Sequence, residues 1–164
     1  AFIGDAIAPL LRGVWRNVRA VATTDIVTNA ADYLAADKPL LLISFARSGN
    51  SPESVAAVNL ANAICKNVAH IYITCNKNGH LAQSANAENI LSLLLPEETD
   101  DKSLAMTSSF STMLLTCLMI SQIDHIEAER ERIEAVAANA QAILSDYAGA
   151  IEAIAARPKK NDKF

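Results

Sequence analysis

Apolar residues change their spacing repeatedly along this chain, and the changes mark its elements. Ile3, Ile7, Leu10, Leu11 and Val14 recur at helical spacing, which predicts a helix over Phe2 to Val18, kinked or restarted at Pro9. Val18 to Ala22 reads as a short strand. Thr23, Thr24 and Asp25 then form a capping cluster for a helix running to about Leu34. After the turn Ala36-Asp37-Lys38-Pro39, Leu40 to Phe45 is apolar without alternation, the pattern of a strand buried on both faces of a parallel sheet. Pro52 opens a helix whose Ala57, Leu60, Ala61 and Ile64 share one face while Asn59 and Asn62 fall off it. A strand is predicted over Val68 to Thr74, a loop over Asn76 to Gly79, and a short helix from His80 to Ser84. Asn89 to Leu95 is a further apolar run closed by Pro96. An acidic loop, Glu97 to Lys102, leads to a helix from about Ser109 past Ile120.

The alternation of strands and helices implies right-handed crossovers and a parallel sheet with helices on both faces, an α/β fold. From Ile123 to Ala156 the period stays helical. Ile123, Ile126, Ile133, Ala137, Ala140, Leu144, Tyr147, Ile151 and Ile154 form a seam in steps of three and four, broken by Arg130. This predicts one long helix packed against another domain or subunit, with a coiled-coil partner as the alternative. Arg157-Pro158-Lys159-Lys160 ends it as a linker.

Composition narrows the choices. At 164 residues the chain holds one domain with a sizeable core. A net charge of −4 leaves no basic stripe to neutralise a nucleic acid. Cys65, Cys75 and Cys117 lie too far apart for a metal knuckle or a redox pair, and read as buried thiols in a reducing cytoplasm. Leu104 to Ile120 is interrupted by Thr107, Ser108, Ser109, Ser111 and Thr112, so it reads as a core helix and not a membrane span. The start at Ala1 and the end at Lys-Lys-Asn-Asp-Lys-Phe suggest a piece of a longer protein.

The stretch with chemistry is Arg47-Ser48-Gly49-Asn50-Ser51, between a strand and the Pro52 helix. Free amides and the positive end of a helix meet there, and both favour an anion such as a phosphate. Ser48 and Ser51 add hydroxyls, and Gly49 lets a ligand approach the backbone. The same residues also make an ordinary turn and N-cap. Arg47 either pairs with the anion or points into solvent. Among the histidines, His70 sits in a strand, His125 lies on a helix beside acids, and His80 starts its helix facing the expected cleft. No cluster has metal-ligand spacing, and no nucleotide-binding glycine motif occurs, so no cofactor is expected.

Ile43-Ser-Phe-Ala-Arg-Ser-Gly-Asn-Ser-Pro-Glu53 resembles the phosphosugar loop of the sugar isomerase (SIS) domain family, whose core reads Ser-Gly-x-Ser/Thr after a buried strand. The wording is similar to a bacterial group of tagatose-6-phosphate ketose/aldose isomerases that includes amino-sugar-phosphate deaminases. The resemblance implies a flavodoxin-like three-layer sandwich, with five parallel strands in the complete domain. It places the SIS domain at residues 1–126, lacking its first strand and loop, and a long helix and linker towards a second domain at 127–164. It implies that Ser48, Gly49, Asn50 and Ser51 hold the phosphate of a hexose or hexosamine, with Arg47, His80 and Thr107 as further substrate contacts. Thr107-Ser108-Ser109-Phe110-Ser111 sits where the family carries a Ser-Thr-x-x-Phe-Thr stretch, but Met106 and Ser108 replace residues that are often Ser and Lys. Isomerisation needs a base to move a proton between neighbouring carbons. In the family that Glu comes from a later segment, so the base is unknown here and Glu97 and Glu98 are only fallbacks. The resemblance also implies a cytoplasmic protein, a second SIS domain or a homodimer, and no nucleic acid, membrane or metal. The alternative is a non-catalytic phosphosugar-sensing domain of a transcription regulator.

Overall fold

The computed structural model describes residues 2–102 and 105–156. Its frame is a sheet of three parallel strands, β1 (Leu40–Ala46), β2 (Val68–Thr74) and β3 (Ile90–Leu94), in the order β1-β2-β3. Leu40 pairs with Val68 and Ala46 with Thr74; His70 pairs with Ile90 and Thr74 with Leu94. The two crossovers carry helices α3 (Pro52–Ile64) and α4 (His80–Gln83). Before β1 come α1 (Phe2–Leu11) and α2 (Thr23–Thr28); after β3 comes α5 (Ser108–Ser121). These elements form one compact unit, Ala1–Ser121.

Strand alternation assigns the faces. Ile43, Phe45, Ile71, Ile73, Cys75, Leu93 and Leu95 point to one side, where Ile7 and Leu11 of α1 and Met113 and Cys117 of α5 cover them. Leu40, Leu42 and Val68 point to the other, against Ile26 of α2 and Ala57 and Ala61 of α3. Further along that face, Tyr72 and Ala46 meet Val58 and Leu81. The result is the α/β sandwich expected from the sequence, with helices on both sides of the sheet.

Several expected details differ. The strand buried on both faces is β2, whose residues from His70 onward are all buried; β1 is mostly half-buried and its Leu41 is exposed. Among the described residues, β1 has a hydrogen-bonded neighbour on one side only, whereas β2 lies between two. Val18 to Ala22 is extended but joins no ladder among the described residues. Its Val18 packs on one core cluster and Val21 on the other, while Ala22 turns into the start of α2. The first helix stops at Leu11, short of Val18, in turns that bond Gly13 to Leu10 and Trp15 to Leu11, and Asn17 adopts a left-handed φ of 59°. Val14, beyond that stop, leaves the predicted face and is exposed, and Leu10, still inside the helix, is exposed as well. α2 ends at Thr28, and a 3₁₀ turn, Ala30–Asp32, follows it. Its N-cap is Ala22, with no side-chain cap from Thr24 or Asp25.

The second unit is Gln122–Phe164. After a 3₁₀ turn at Ile123–His125 it holds α6 (Ile126–Asp146) and α7 (Ala148–Ala155). The expected single helix breaks at Tyr147, whose ψ of 7° departs from helical geometry. Val136, Ile143, Leu144, Tyr147, Ile151 and Ile154 are all more than half exposed or close to it. Arg130, the break in the seam, pairs with Glu127, and Arg132 pairs with Glu129, each one turn away. The linker expected at Arg157 to Lys160 lies outside the described residues. No described helix is long and apolar enough to cross a membrane.

Candidate functional site

The C-terminal ends of β1 and β2 present the loop Arg47–Ser51, and each neighbouring element fixes one part of it. Gly49 adopts φ 65°, a left-handed conformation that costs other residues more, and so turns the chain at the strand's end. Ser48 Oγ accepts from the Asn50 amide at 3.3 Å. Ser51 caps α3: its hydroxyl oxygen accepts from the Ser54 amide at 3.3 Å and donates to Ser54 Oγ at 2.6 Å. Pro52 at the first helical position has no amide to leave unpaired. Among the described residues, the amides of Gly49 and Ser51 have no partner. Two hydroxyls, several free amides and the positive end of a 13-residue helix therefore converge on one loop.

Five residues outside that loop hold it. Asn50 Oδ1 accepts from the His80 amide at 2.8 Å, and the Gly49 carbonyl accepts from the Leu81 amide at 3.2 Å. Asn76 Nδ2 donates to the Ser48 carbonyl at 3.0 Å. The Arg47 carbonyl accepts from Thr74 Oγ1 and from the Cys75 amide, each at 3.2 Å. Gly79 is buried against this arrangement. A Cβ there would overlap the Ser48 carbonyl oxygen and lie 3.2 Å from both the Asn76 carbonyl oxygen and Gly49 Cα.

The predicted residues thus divide. Ser48, Gly49, Asn50 and Ser51 form the loop itself. His80 joins it through its backbone, while His80 itself lines a cavity of about 90 Å³ bounded by α3, α4, Tyr72 and Ile90. Arg47 does not point into solvent. Its Nη1 donates to the Asp101 carbonyl at 2.8 Å, across the end of β2. The Asp101 carboxylate in turn collects the start of α5. Oδ2 accepts from the amides of Thr107 (3.1 Å) and Ser109 (2.8 Å) and from Ser109 Oγ (2.8 Å), and Oδ1 accepts from the Ser108 amide (3.3 Å). These bonds, the Ser109 amide first, hold the carboxyl below its usual range. Among the described residues, Thr107 is therefore tied to the loop through Asp101 and Arg47. Glu97 and Glu98 sit exposed in a 3₁₀ turn, Glu97–Thr99.

His70, on the central strand, is buried. Its Nε2 lies 2.9 Å from Asn62 Oδ1, its Nδ1 has no partner among the described residues, and desolvation lowers its pKa. Cys65, Cys75 and Cys117 are free and buried, and burial pushes the Cys117 thiol up to about 11.

Sequence reasoning missed Asp101, Asn76 and Gly79. Asp101 lies six to eight residues before the amides it binds, outside any local capping spacing. Gly79 carried a signal, a glycine directly after Asn-Lys-Asn, but it read as an ordinary turn.

Residues 1–122 match the SIS domain family. This chain belongs to that family. The D-galactosamine-6-phosphate deaminase AgaS of Escherichia coli is 52% identical to it over 147 residues, covering 88% of this chain and 38% of that protein. The crystal structure of tagatose-6-phosphate ketose/aldose isomerase from Escherichia coli superposes with a TM-score of 0.82 at 51% identity, covering 90% of this chain and 40% of that one. A solved structure from Clostridium novyi NT gives 0.88 at 45% identity, covering 93% and 40%. The chain thus spans about two fifths of the length of these relatives. Within the SIS domain, the loop from Ser48 to Ser51 lies at the carboxyl edge of the parallel strands, where ligands bind in open α/β sheets.

Proposed function

We propose that this SIS domain holds the phosphate of a phosphorylated hexose or hexosamine on Ser48, Gly49, Asn50 and Ser51. The observation that carries the reading is the loop between β1 and α3, with the free amides of Gly49 and Ser51 and the Ser48 and Ser51 hydroxyls at a helix N-terminus. The complete protein is a ketose/aldose-phosphate isomerase or amino-sugar-phosphate deaminase of the tagatose-6-phosphate or galactosamine-6-phosphate type, a reading supported by the relatives' names. The phosphate serves as a remote handle whose binding energy fixes the reacting carbons in place. The base is assigned to a segment outside this domain, since among the described residues Glu97 and Glu98 are exposed in their 3₁₀ turn and no hydrogen bond ties them to the loop. The exposed apolar seam of α6 and α7, in residues 127–164, packs against a second SIS domain or a second copy. The buried thiols fit a reducing cytoplasm.

The test is thermal melting of the complete protein with galactosamine 6-phosphate, tagatose 6-phosphate and other hexose 6-phosphates, beside the unphosphorylated sugars. A ligand at a hundredfold its Kd adds about 2.7 kcal/mol to stability. Only the phosphorylated sugars are expected to raise the Tm. Ser48→Ala is expected to remove most of that shift at little cost in stability. Ser51→Ala does the same but also removes the α3 cap, at about 1 kcal/mol. Equal shifts with and without the phosphate, or unchanged shifts in both variants, refute the assignment.

A further inference from the structure

On the face of the sheet that carries α3 and α4, the two helices leave a cavity of about 90 Å³ over Tyr72 and Ile90, and no residue from Ser48 to Ser51 lines it. Tyr72 does line it. That residue is 1% exposed, and its hydroxyl has no hydrogen-bond partner among the described residues. A buried hydroxyl left without a partner is destabilising, and this one borders open space. Asn62 supplies a second group to the wall. Its Oδ1 lies 2.9 Å from Nε2 of the buried His70. An amide oxygen only accepts, so the ring nitrogen donates, and the Asn62 Nδ2 hydrogens are left without a partner among the described residues. Both groups can therefore donate to the same ligand atom. Val55, Val58, Leu81 and Ile90 make the wall largely apolar, and no acid, lysine or arginine lines it. A full charge inside would lose its water and meet no fixed opposite charge. The volume matches roughly three waters at about 30 Å³ each, or one organic molecule of about four heavy atoms.

We propose that this cavity is a second binding site, for a small uncharged molecule carrying an amide or carbonyl oxygen. The oxygen accepts from Tyr72 Oη and Asn62 Nδ2, and the apolar end packs on Val55, Val58 and Ile90. His70 is a positioning residue for this site: its bond engages the Asn62 oxygen and leaves the amide hydrogens for the ligand. The site stands apart from the phosphate loop, and α4 connects the two, since the amides of His80 and Leu81 bond to Asn50 Oδ1 and to the Gly49 carbonyl.

The experiment titrates the complete protein with acetamide by ligand-observed NMR. Acetate and acetamidinium serve as an anion and a cation of nearly the same shape. Wild type is expected to bind acetamide saturably, with a Kd on the order of millimolar for a ligand of about four heavy atoms. Each charged probe is expected to bind at least about tenfold more weakly. Tyr72→Phe keeps the ring against Val58 and Leu81 and loses only the hydroxyl, so acetamide should bind about fivefold more weakly. Asn59→Leu fills the cavity from an exposed position of α3 and should abolish saturable binding. Melting curves on the same samples establish that the variants are folded, and Asn59→Leu, being on the surface, carries the test alone if Tyr72→Phe unfolds. Wild type without saturable acetamide binding overturns the proposal. So does equal binding of the three probes, or a wild-type Kd in either folded variant.

Discussion

Gly79→Ala isolates the support beneath the phosphate loop. Gly79 has φ −69° and ψ 150°, a conformation that alanine adopts freely, so the substitution carries no backbone strain. Its whole effect comes from the added methyl group, which would overlap the Ser48 carbonyl oxygen and press on Gly49 Cα. Both obstacles are backbone, so neither can rotate away. Restoring ordinary non-bonded contact parts the two chains by roughly an ångström. Overpacking of this kind costs about 1–3 kcal/mol. For a unit of this size that is a fall in Tm of about 3–15 °C. The larger effect is on binding, because the displaced carbonyl also holds Asn76, and the Asn50 contact to the His80 amide lies next to the new methyl. A misplacement near one ångström in a positioned site costs on the order of a hundredfold. The assay is a melting curve and a phosphosugar titration on the same sample, with Gly49→Ala as comparison. Gly49 has room for a Cβ, its nearest neighbour being Thr74 Oγ1 at 3.4 Å, but its φ of 65° makes alanine strained by about 1–2 kcal/mol. Gly79→Ala protein with wild-type Tm and wild-type affinity would show that the loop does not rest on Gly79.

His70→Leu should flatten the acid side of the stability profile. The unfolded chain takes up the histidine proton near its ordinary 6.5, whereas the folded chain resists until a lower pH, so stability is full above 6.5 and falls as pH drops towards the lowered value. Melting curves between about pH 8 and pH 5 should converge at the acid end, and parallel curves contradict the argument. At pH 8 the cost should stay near 1 kcal/mol, because the lost Asn62 bond is offset by removal of the unpaired Nδ1. Gly149→Ala meets no atom within 4 Å and sits inside α7, so it should stabilise that helix by about 0.5–1 kcal/mol. Slower amide exchange at Ile151 and Ile154 would show it, and faster exchange would count against it.

The local signals of this chain were strong because short-range physics made them. Ser51 before Pro52 caps and starts α3 as its residue types require, and the positions Ala57 and Ala61 face the core as their spacing demands. The three pairing strands, the crossover helices and the position of the Ser48–Ser51 loop follow from such signals. What depended on neighbours was not legible. The apolar run of β1 and that of β2 look alike in sequence, yet only β2 is covered on both sides, because sheet order and not composition decides burial. Val18 to Ala22 had the residues of a strand, but a strand exists only where a partner takes its amides. The long seam after Ile123 kept its period through Tyr147, where the backbone nonetheless leaves the helix. Arg47 was visible as a charge beside the loop; its bond to a carbonyl 54 positions away was not. The sequence by itself determined the kind of elements and the chemistry of the loop, since both are set by residues within a few positions of one another. Only the tertiary structure decided that Asp101, Asn76 and Gly79 hold that loop and its surroundings, because those contacts form when the ends of separate strands are brought together.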